Sequence, residues 1–549
     1  VYSYNPGTMI AATLRWIDVN FLALGREMRL SYLPPLMVYV AYGISGLTGI
    51  VGTFFVKDYL GLSASFLAVL AFWAGIPWAL KMPLGHVVDL IWRWKSWLVF
   101  LGAGLIAASL LIMAGLLTDR AAMTAIMPAE AWYVLSALLA PIGYVVQDVI
   151  ADAMTVEAVP RVDENGKPVP QEARKLMNTT MQTLGRVALI GGLALVAALN
   201  LYLFAGADKL SEAEKVAIYR QIYLTAMVIP FISVLGVAFA FFLRRRAIQG
   251  LMARGMGRIE AQKAFAGPED RPAPNWWILG GSVAFVAFSL GMGFSRIEYN
   301  QEIILAGSLA IIAFLIARLT RELEPEARAT LIGTAVIIFV FRAVPGPGEG
   351  LTWWMIDELK FDQQFLAVLS LIASVLTLVG MFLFRRFMAV RSIAYVVGFL
   401  TLIAAALSLP IIGLTLGLHQ WAAAATGGVV DARFIVVVNT ALESPLGQIA
   451  MIPMLAWIAN SAPQNLKATY FAIMASFTNL ALSASQLGTK YLNDAYIVTR
   501  QVKDAATSAV VTPADYSQLG ELLIVQLAIG LLLPFAAILI VRALGLRWA

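Results

Sequence analysis

Three carboxylates close a long apolar run at residues 147–157, QDVIADAMTVE: Asp148, Asp152 and Glu157. From Trp132 to Thr155 the chain is otherwise dominated by Leu, Ala, Val, Ile, Met and small residues. That stretch is long enough to cross a hydrocarbon core of about 30 Å as a helix. A spacing of four puts Asp148 and Asp152 on one helix face, one turn apart. Near mid-membrane each costs about 2.5–3.5 kcal/mol on insertion scales, so each needs a cation, water or a proton. Glu157 points elsewhere and belongs near the cytoplasmic surface. Two readings fit: three interfacial carboxylates at a helix end, or a gate or coupling site that works by changing protonation. The second is the sharper expectation and is carried forward.

The cation expected beside Asp148 is Arg186. Asp148 lies nine residues before Glu157, and Arg186 eight after Asn178. At 1.5 Å per residue both sit roughly 12–14 Å from the cytoplasmic ends of neighbouring antiparallel helices. Matched depth makes Asp148 and Arg186 an ion pair. It leaves Asp152, with no assigned cation, as the carboxylate that exchanges protons, and Glu443 as the second candidate.

The elements that carry these charges follow from composition. Of 549 residues, 60% are hydrophobic and 13% charged, with a mean hydropathy of +0.80, whereas soluble domains carry about 25% charged residues. Long apolar runs separated by turn and charge clusters suit helices; a membrane barrel would show alternating segments of about ten residues. The expectation is an all-α polytopic membrane protein. There is no cysteine, and His86 and His419 are far apart, which excludes disulfides and a Cys or His metal cluster. No phosphate-loop motif and no nucleophile with a base partner is present. The chain is therefore not expected to be an enzyme or to hold a metal or cofactor. The net charge of +6 is loop charge and implies no nucleic-acid partner.

Apolar runs at 32–56, from 64 into PWALKMPLGHVVDLIWRWK at 77–95, and at 97–117, 132–156, 179–204, 221–243, 276–294, 302–318, 331–355, 364–384, 392–416, 434–459, 468–489 and 519–541 predict about fourteen transmembrane helices. Residues 1–30 form a cytoplasmic or interfacial segment, with apolar residues at helical spacing between Ile10 and Leu24. Lys and Arg concentrate on the side of the N-terminus, which places both termini in the cytoplasm; the expected location is the plasma (inner) membrane. Residues 31–243 make a first six-helix bundle. The linker 244–275 carries Arg244, Arg245, Arg246, Arg254, Arg258 and Lys263, the pair of spans in 276–328 is peripheral and lipid-facing, and 329–549 make a second six-helix bundle.

An internal repeat relates the two bundles. VKDYLGLSASFLAVL at 56–70 aligns with MIDELKFDQQFLAVL at 355–369, and APIG at 140–143 with SPLG at 444–447, equating the Asp148 helix with the span that carries Glu443. In this register Gly49 corresponds to Gly348, so FVFRAVPGPGEGLTWW at 339–354 belongs inside a span, with Arg342 and Glu349 near its middle. Two prolines there must break the helix. Broken helices with charge at the midplane are the best sequence pointer to a transporter's binding site. Arg342 has the planar fork that suits a carboxylate; Arg186 adds positive potential, as does Lys81 from the cytoplasmic rim. Gly85 and Asp89, followed by Arg93 and Lys95, resemble in part the loop signature of the major facilitator superfamily, a charge cluster able to hold two bundles together.

PWALKMPLGHVVD at 77–89, QDVIADAMTVE at 147–157, FRAVPGPGEGLTWWMIDELKFDQQFLAVLS at 341–370 and QIAMIPMLAWIANSAPQNLKATYFAIMASFTNL at 448–480 together resemble the folate-biopterin transporter family of that superfamily. QDVIADA alone is shared with muropeptide permeases and acetyl-coenzyme A transporters. The resemblance implies a major facilitator fold and a secondary carrier, driven by protons, for folates, pterins or related metabolites; the chain departs from the twelve-span pattern by its extra pair of helices. The residues themselves point to a small anionic substrate bound by Arg342, Glu349 and Arg186, with Asp148, Asp152, Glu157, Glu443, Lys81 and Asp89 gating or coupling, in a carrier expected to be a monomer. The competing readings are a transport-inactive assembly factor of the same fold and a muropeptide-type permease.

Overall fold

The structure is a computed structural model that describes residue 26 and residues 28–60, 62–79, 81–91, 94–159, 169–206, 211–264, 274, 276–295, 297–322, 324–384, 391–447, 467–503 and 510–548. The amphipathic helix expected at 9–24 and most of the 448–480 motif lie outside these residues.

The first half contains α1 (Leu33–Gly43), α2 (Gly49–Tyr59), α3 (Ala64–Ala79), α4 (Lys81–Leu90), α5 (Ser96–Thr118), the short α6 (Arg120–Ile126), α7 (Ala129–Ala158), α8 (Gln171–Leu203), α9 (Glu212–Ala226) and α10 (Val228–Ala253). Then come α11 (Arg258–Ala264), α12 (Trp276–Phe294) and α13 (Asn300–Leu319). The second half contains α14 (Pro325–Arg342), α15 (Gly350–Asp357), α16 (Gln363–Leu383), α17 (Ile393–Thr415), the short α18 (Leu418–Ala425), α19 (Ala432–Glu443) and α20 (Lys467–Ala495). A small antiparallel hairpin, β1 (Val502–Lys503) and β2 (Val510–Thr512), leads to α21 (Leu519–Ala543).

Local chemistry sets many of these boundaries. Pro34 and Pro35 occupy the first turn of α1, where a missing N–H costs nothing. Ser211 and Glu214 form a capping box at the start of α9, and Asp431 caps α19 by accepting from the Phe434 N–H at 2.8 Å, each satisfying orphan donors. The basic run Arg244–Arg246 continues α10 as far as Ala253, because nothing in it breaks a helix, so the expected linker 244–275 begins as helix.

Nine of the described helices are long and apolar enough to cross a membrane. The other expected spans fall on helices that are broken or shorter, or that include residues outside the description. Their outward faces are apolar, as at Leu195, Phe241 and Leu532.

The repeat is visible in where helices stop and start. A constant offset of 299 residues separates the end of α1 from the end of α14, and the start of α3 from the start of α16. Both first spans are interrupted at the same register: residues 44–48 form a 3-10 turn between α1 and α2, and residues 343–349 separate α14 from α15. The halves meet where α3 packs on α20 and α8 on α16. The α12–α13 hairpin covers the first of these seams. Phe285, Ile304 and Ile312 pack against Phe72 and Ile76 of one half and Leu480 and Leu487 of the other, while Val283 and Phe314 face outward.

Within the first half, α1 crosses α8 at backbone contact. A Cβ built on Gly192 would lie 2.8 Å from the Gly43 Cα and 3.1 Å from the Ile44 nitrogen, and backbone atoms cannot step aside as a side chain can. Gly192→Ala should therefore lower the thermal unfolding midpoint in detergent, at an overpacking cost of about 1–3 kcal/mol. Gly49→Ala, with open space around it, should hold or raise the midpoint through helix propensity. Equal midpoints for the two variants would mean that the α1–α8 crossing does not depend on close backbone approach.

Candidate functional site

The carboxylates at the end of α7 meet one lysine. Lys81 Nζ lies 2.6 Å from Asp148 Oδ2 and 2.7 Å from Asp152 Oδ2, and the Tyr39 hydroxyl donates to Asp152 Oδ1 at 2.7 Å. Helices α1, α4 and α7 thus converge on one ion cluster inside the first half. The Asp152 side chain is 42% exposed and that of Asp148 only 12%, so Asp152 is the carboxylate with access to water. Gln147, by contrast, is structural: its Oε1 accepts from Ser233 at 2.9 Å and its Nε2 donates to the Val99 carbonyl at 3.3 Å, tying α7 to α10 and α5.

This arrangement corrects three expectations. Asp148 pairs with Lys81 and not with Arg186; Asp152 has a cation; and Lys81 is inside the bundle, not at its rim. The physical reason is helix length. The apolar run stops before Lys81, but helical structure continues through α4 to Leu90, which carries Lys81 to the depth of Asp148. Arg186, on α8, remains near enough to act electrostatically on Asp148, Tyr39 and Tyr42. The helices that carry Asp89 and Glu157 are described, but those two side chains, and Arg93, lie outside the described residues.

The broken span between α14 and α15 is docked on a polar stripe of α20. Arg342 Nε donates to the Thr478 carbonyl at 3.1 Å. Ser485 donates to the Val344 carbonyl at 2.7 Å, the Gly346 N–H to Thr489 Oγ1 at 2.9 Å, and Asn493 Nδ2 to the Pro347 carbonyl at 3.3 Å. From α21, Gln526 Nε2 donates to the Pro345 carbonyl at 3.3 Å. Gly348 takes φ +76°, where a Cβ would also strike the Asn493 amide. Glu349 is exposed at the start of α15, within electrostatic range of Tyr133 on α7, so it faces the opposite half. Glu443 is exposed at the end of α19. Among the described residues no ion pair joins Glu349 or Glu443 to Lys81.

At the hairpin end the two halves are tied by charge. Lys57 Nζ lies 2.5 Å from Asp357 Oδ1, with side chains 7% and 15% exposed, and the Tyr516 hydroxyl donates to Asp357 Oδ2 at 2.5 Å. Burial and that carboxylate push the Tyr516 hydroxyl far above the usual phenol range, so it remains a donor at any physiological pH. Arg500, just before the hairpin, donates from Nε to the Lys57 carbonyl at 2.8 Å and from Nη1 to the Leu62 carbonyl, with its guanidinium over the Trp353 ring at 4.8 Å. None of Lys57, Asp357 and Arg500 was singled out as a site residue by sequence, although the repeat aligned Asp357 with Asp58. Three aromatic rings were missed as well: Tyr42, Trp78 and Tyr144, with the Tyr42 centroid 5.5 Å from each of the other two.

Two related helical halves, each with an interrupted first span, define an integral membrane protein of the major facilitator fold. The chain belongs to the BT1 family, whose model matches residues 223–544. It is similar to a folate-biopterin transporter of Synechocystis sp. (strain ATCC 27184 / PCC 6803 / Kazusa), at 23% identity over 462 residues, covering 83% of this chain and 74% of the relative. Among solved structures it resembles an auto-inhibited POT family peptide transporter, with TM-score 0.58, 13% identity and coverage of 94% and 97% of the two chains. It also resembles a POT family transporter in complex with 5-aminolevulinic acid, with TM-score 0.57, 13% identity and coverage of 94% and 95%. These likenesses establish the fold.

The ion cluster yields a test of partnership. Lys81→Met leaves two carboxylates one turn apart without their cation and should destabilise the protein by about 3–5 kcal/mol, the cost of breaking a buried pair. Adding Asp148→Asn should recover part of that loss, and Arg186→Gln alone should cost less. Thermal unfolding of the purified variants decides; a cost for Arg186→Gln equal to that of Lys81→Met would make Arg186 the true partner.

Proposed function

We propose that this protein is a proton-coupled secondary carrier that moves a small folate- or pterin-like anion by alternating access, as a monomer in the plasma (inner) membrane with both termini in the cytoplasm. The substrate class comes from the folate-biopterin transporter that resembles this chain over most of its length. The observation that carries the coupling is the sharing of Lys81 between a buried Asp148 and an accessible Asp152. With both carboxylates charged, Lys81 is divided between them. When Asp152 takes a proton from water, Lys81 goes wholly to Asp148 and Tyr39 loses its charged acceptor. One proton thereby changes how α1, α4 and α7 are held together, a local event of the kind that biases a two-state helix packing.

Arg342 is assigned to the substrate's carboxylate. It lies at the break in the first span of the second half, where the chain must leave hydrocarbon, and its planar fork matches a carboxylate through two parallel hydrogen bonds. Glu349 from the second half and Arg186 from the first complete the proposed binding set. Glu443, Glu157 and Asp89 remain gate or coupling candidates, placed at helix ends where a change of charge alters how neighbouring loops pack.

In proteoliposomes with an imposed pH gradient, the wild-type protein should accumulate folinate, and Asp152→Asn should abolish gradient-driven accumulation while retaining folinate exchange. Arg342→Ala should weaken folinate binding by about tenfold or more, as expected for loss of a charged hydrogen-bonded pair, and should leave biopterin, which has no carboxylate, little changed. Full gradient-driven accumulation by Asp152→Asn removes Asp152 from coupling, and equal losses for both compounds in Arg342→Ala remove the carboxylate assignment.

A further inference from the structure

Each of three helices in the first half places an aromatic ring about one turn from a member of the ion cluster. On α1, Tyr42 lies three residues after Tyr39; Trp78, on α3, lies three before Lys81; Tyr144, on α7, lies four before Asp148. Helix α1 runs away from the end that carries the termini, while α3 and α7 run back towards it. The three rings therefore fall in one layer on the inner side of the charges, one helical turn deeper into the bundle. Tyr42 touches the other two, with interplanar angles of 48° to Trp78 and 55° to Tyr144. None of the three is fully buried, and the wall stands at the meeting of the halves, since Asn479 of α20 donates to the Trp78 carbonyl at 3.2 Å.

Tyr144 packs on one side against the aliphatic core of the first half. Tyr42, which touches both other rings, borders Asp148, Lys81 and Arg186, all of which act electrostatically on it. Resting on the proposed carrier function, we infer that Tyr42, Trp78 and Tyr144 form the subsite for the flat part of the transported molecule, a fused nitrogen heterocycle. The ring lies against this wall and turns its N–H edge towards Asp148. The ring N–H donates to the Asp148 carboxylate, which engages Lys81 through Oδ2. Stacking tolerates any conjugated ring, so selection among heterocycles falls to that polar edge. An aliphatic solute gains nothing from three rings.

The test measures equilibrium binding of biopterin, adenosine and dialanine to the purified protein in nanodiscs. Trp78→Leu, Tyr144→Leu and Tyr42→Leu are compared with Trp78→Phe, and folding is checked by size exclusion and thermal unfolding. The expected result is binding of biopterin or adenosine, weakened about tenfold to a hundredfold in each folded Leu variant, as for loss of a stacking platform. Trp78→Phe should stay within about threefold, because a flat ring is kept. Leu variants that bind the heterocycle as tightly as the wild type overturn the subsite and leave the carrier reading intact. So does a wild-type protein that transports folinate but binds neither biopterin nor adenosine. A wild-type protein that binds none of the three and transports no folinate overturns the carrier reading, and the subsite with it.

Discussion

A charge cannot stand alone in hydrocarbon, and Lys81 is the answer this chain gives for two of them. One ammonium spans Asp148 and Asp152, and the Tyr39 hydroxyl completes the shell of Asp152. The trio of Lys81 and two carboxylates still carries one negative charge when all are ionised, which the nearby Arg186 offsets at longer range. Such a cluster holds α1, α4 and α7 in register through directional contacts that apolar packing alone does not supply. Its composition also makes it changeable, because a single proton alters the number of acceptors that Lys81 must serve.

The second constraint is on the backbone. Breaking a span exposes N–H and C=O groups that lipid cannot satisfy. On the second half, α20 meets this with Ser485, Thr489 and Asn493, spaced along one helix face, and α21 adds Gln526. The first half breaks more gently, through a 3-10 turn that retains most of its own hydrogen bonds. The two halves therefore share a register but not a mechanism of interruption. The more open break lies where Arg342 and Glu349 flank it.

The two charged clusters differ in what motion they permit. Lys81 and its partners belong to one half, so the halves can swing relative to each other without separating them. Lys57, Asp357, Tyr516 and Arg500 link the halves directly. An opening at the hairpin end has to part Lys57 from Asp357 and lift Arg500 from two carbonyls of the first half. The structure is thus closed at that end by polar contacts, which can exchange for water, and along its side by the apolar hairpin of α12 and α13, which has no such exchange.

Which of these features could be read from sequence follows from how local each one is. The carboxylate spacing, the proline break at 343–349 and the offset between halves are properties of short segments, and the structure contains all three. The partner of Asp148 is not local. Matched depth is the right criterion, but hydropathy falls at Lys81 and sets it at a helix end, whereas the helix continues to Leu90. Lys57 and Asp357 lie at the ends of equivalent helices in the repeat, so their proximity is a consequence of the pseudo-twofold relation and could have been drawn from the alignment itself. Arg500 could not: its carbonyl acceptors, on Lys57 and Leu62, carry no side-chain signature. The aromatic layer lies between these cases, since ring-to-charge spacings of three and four recur on three helices, but their convergence appears only when antiparallel directions are combined. Contacts that depend on the path of a helix past its apolar run, or on backbone acceptors, leave no trace in residue identity. In this fold those contacts are the ones that join helices distant in sequence.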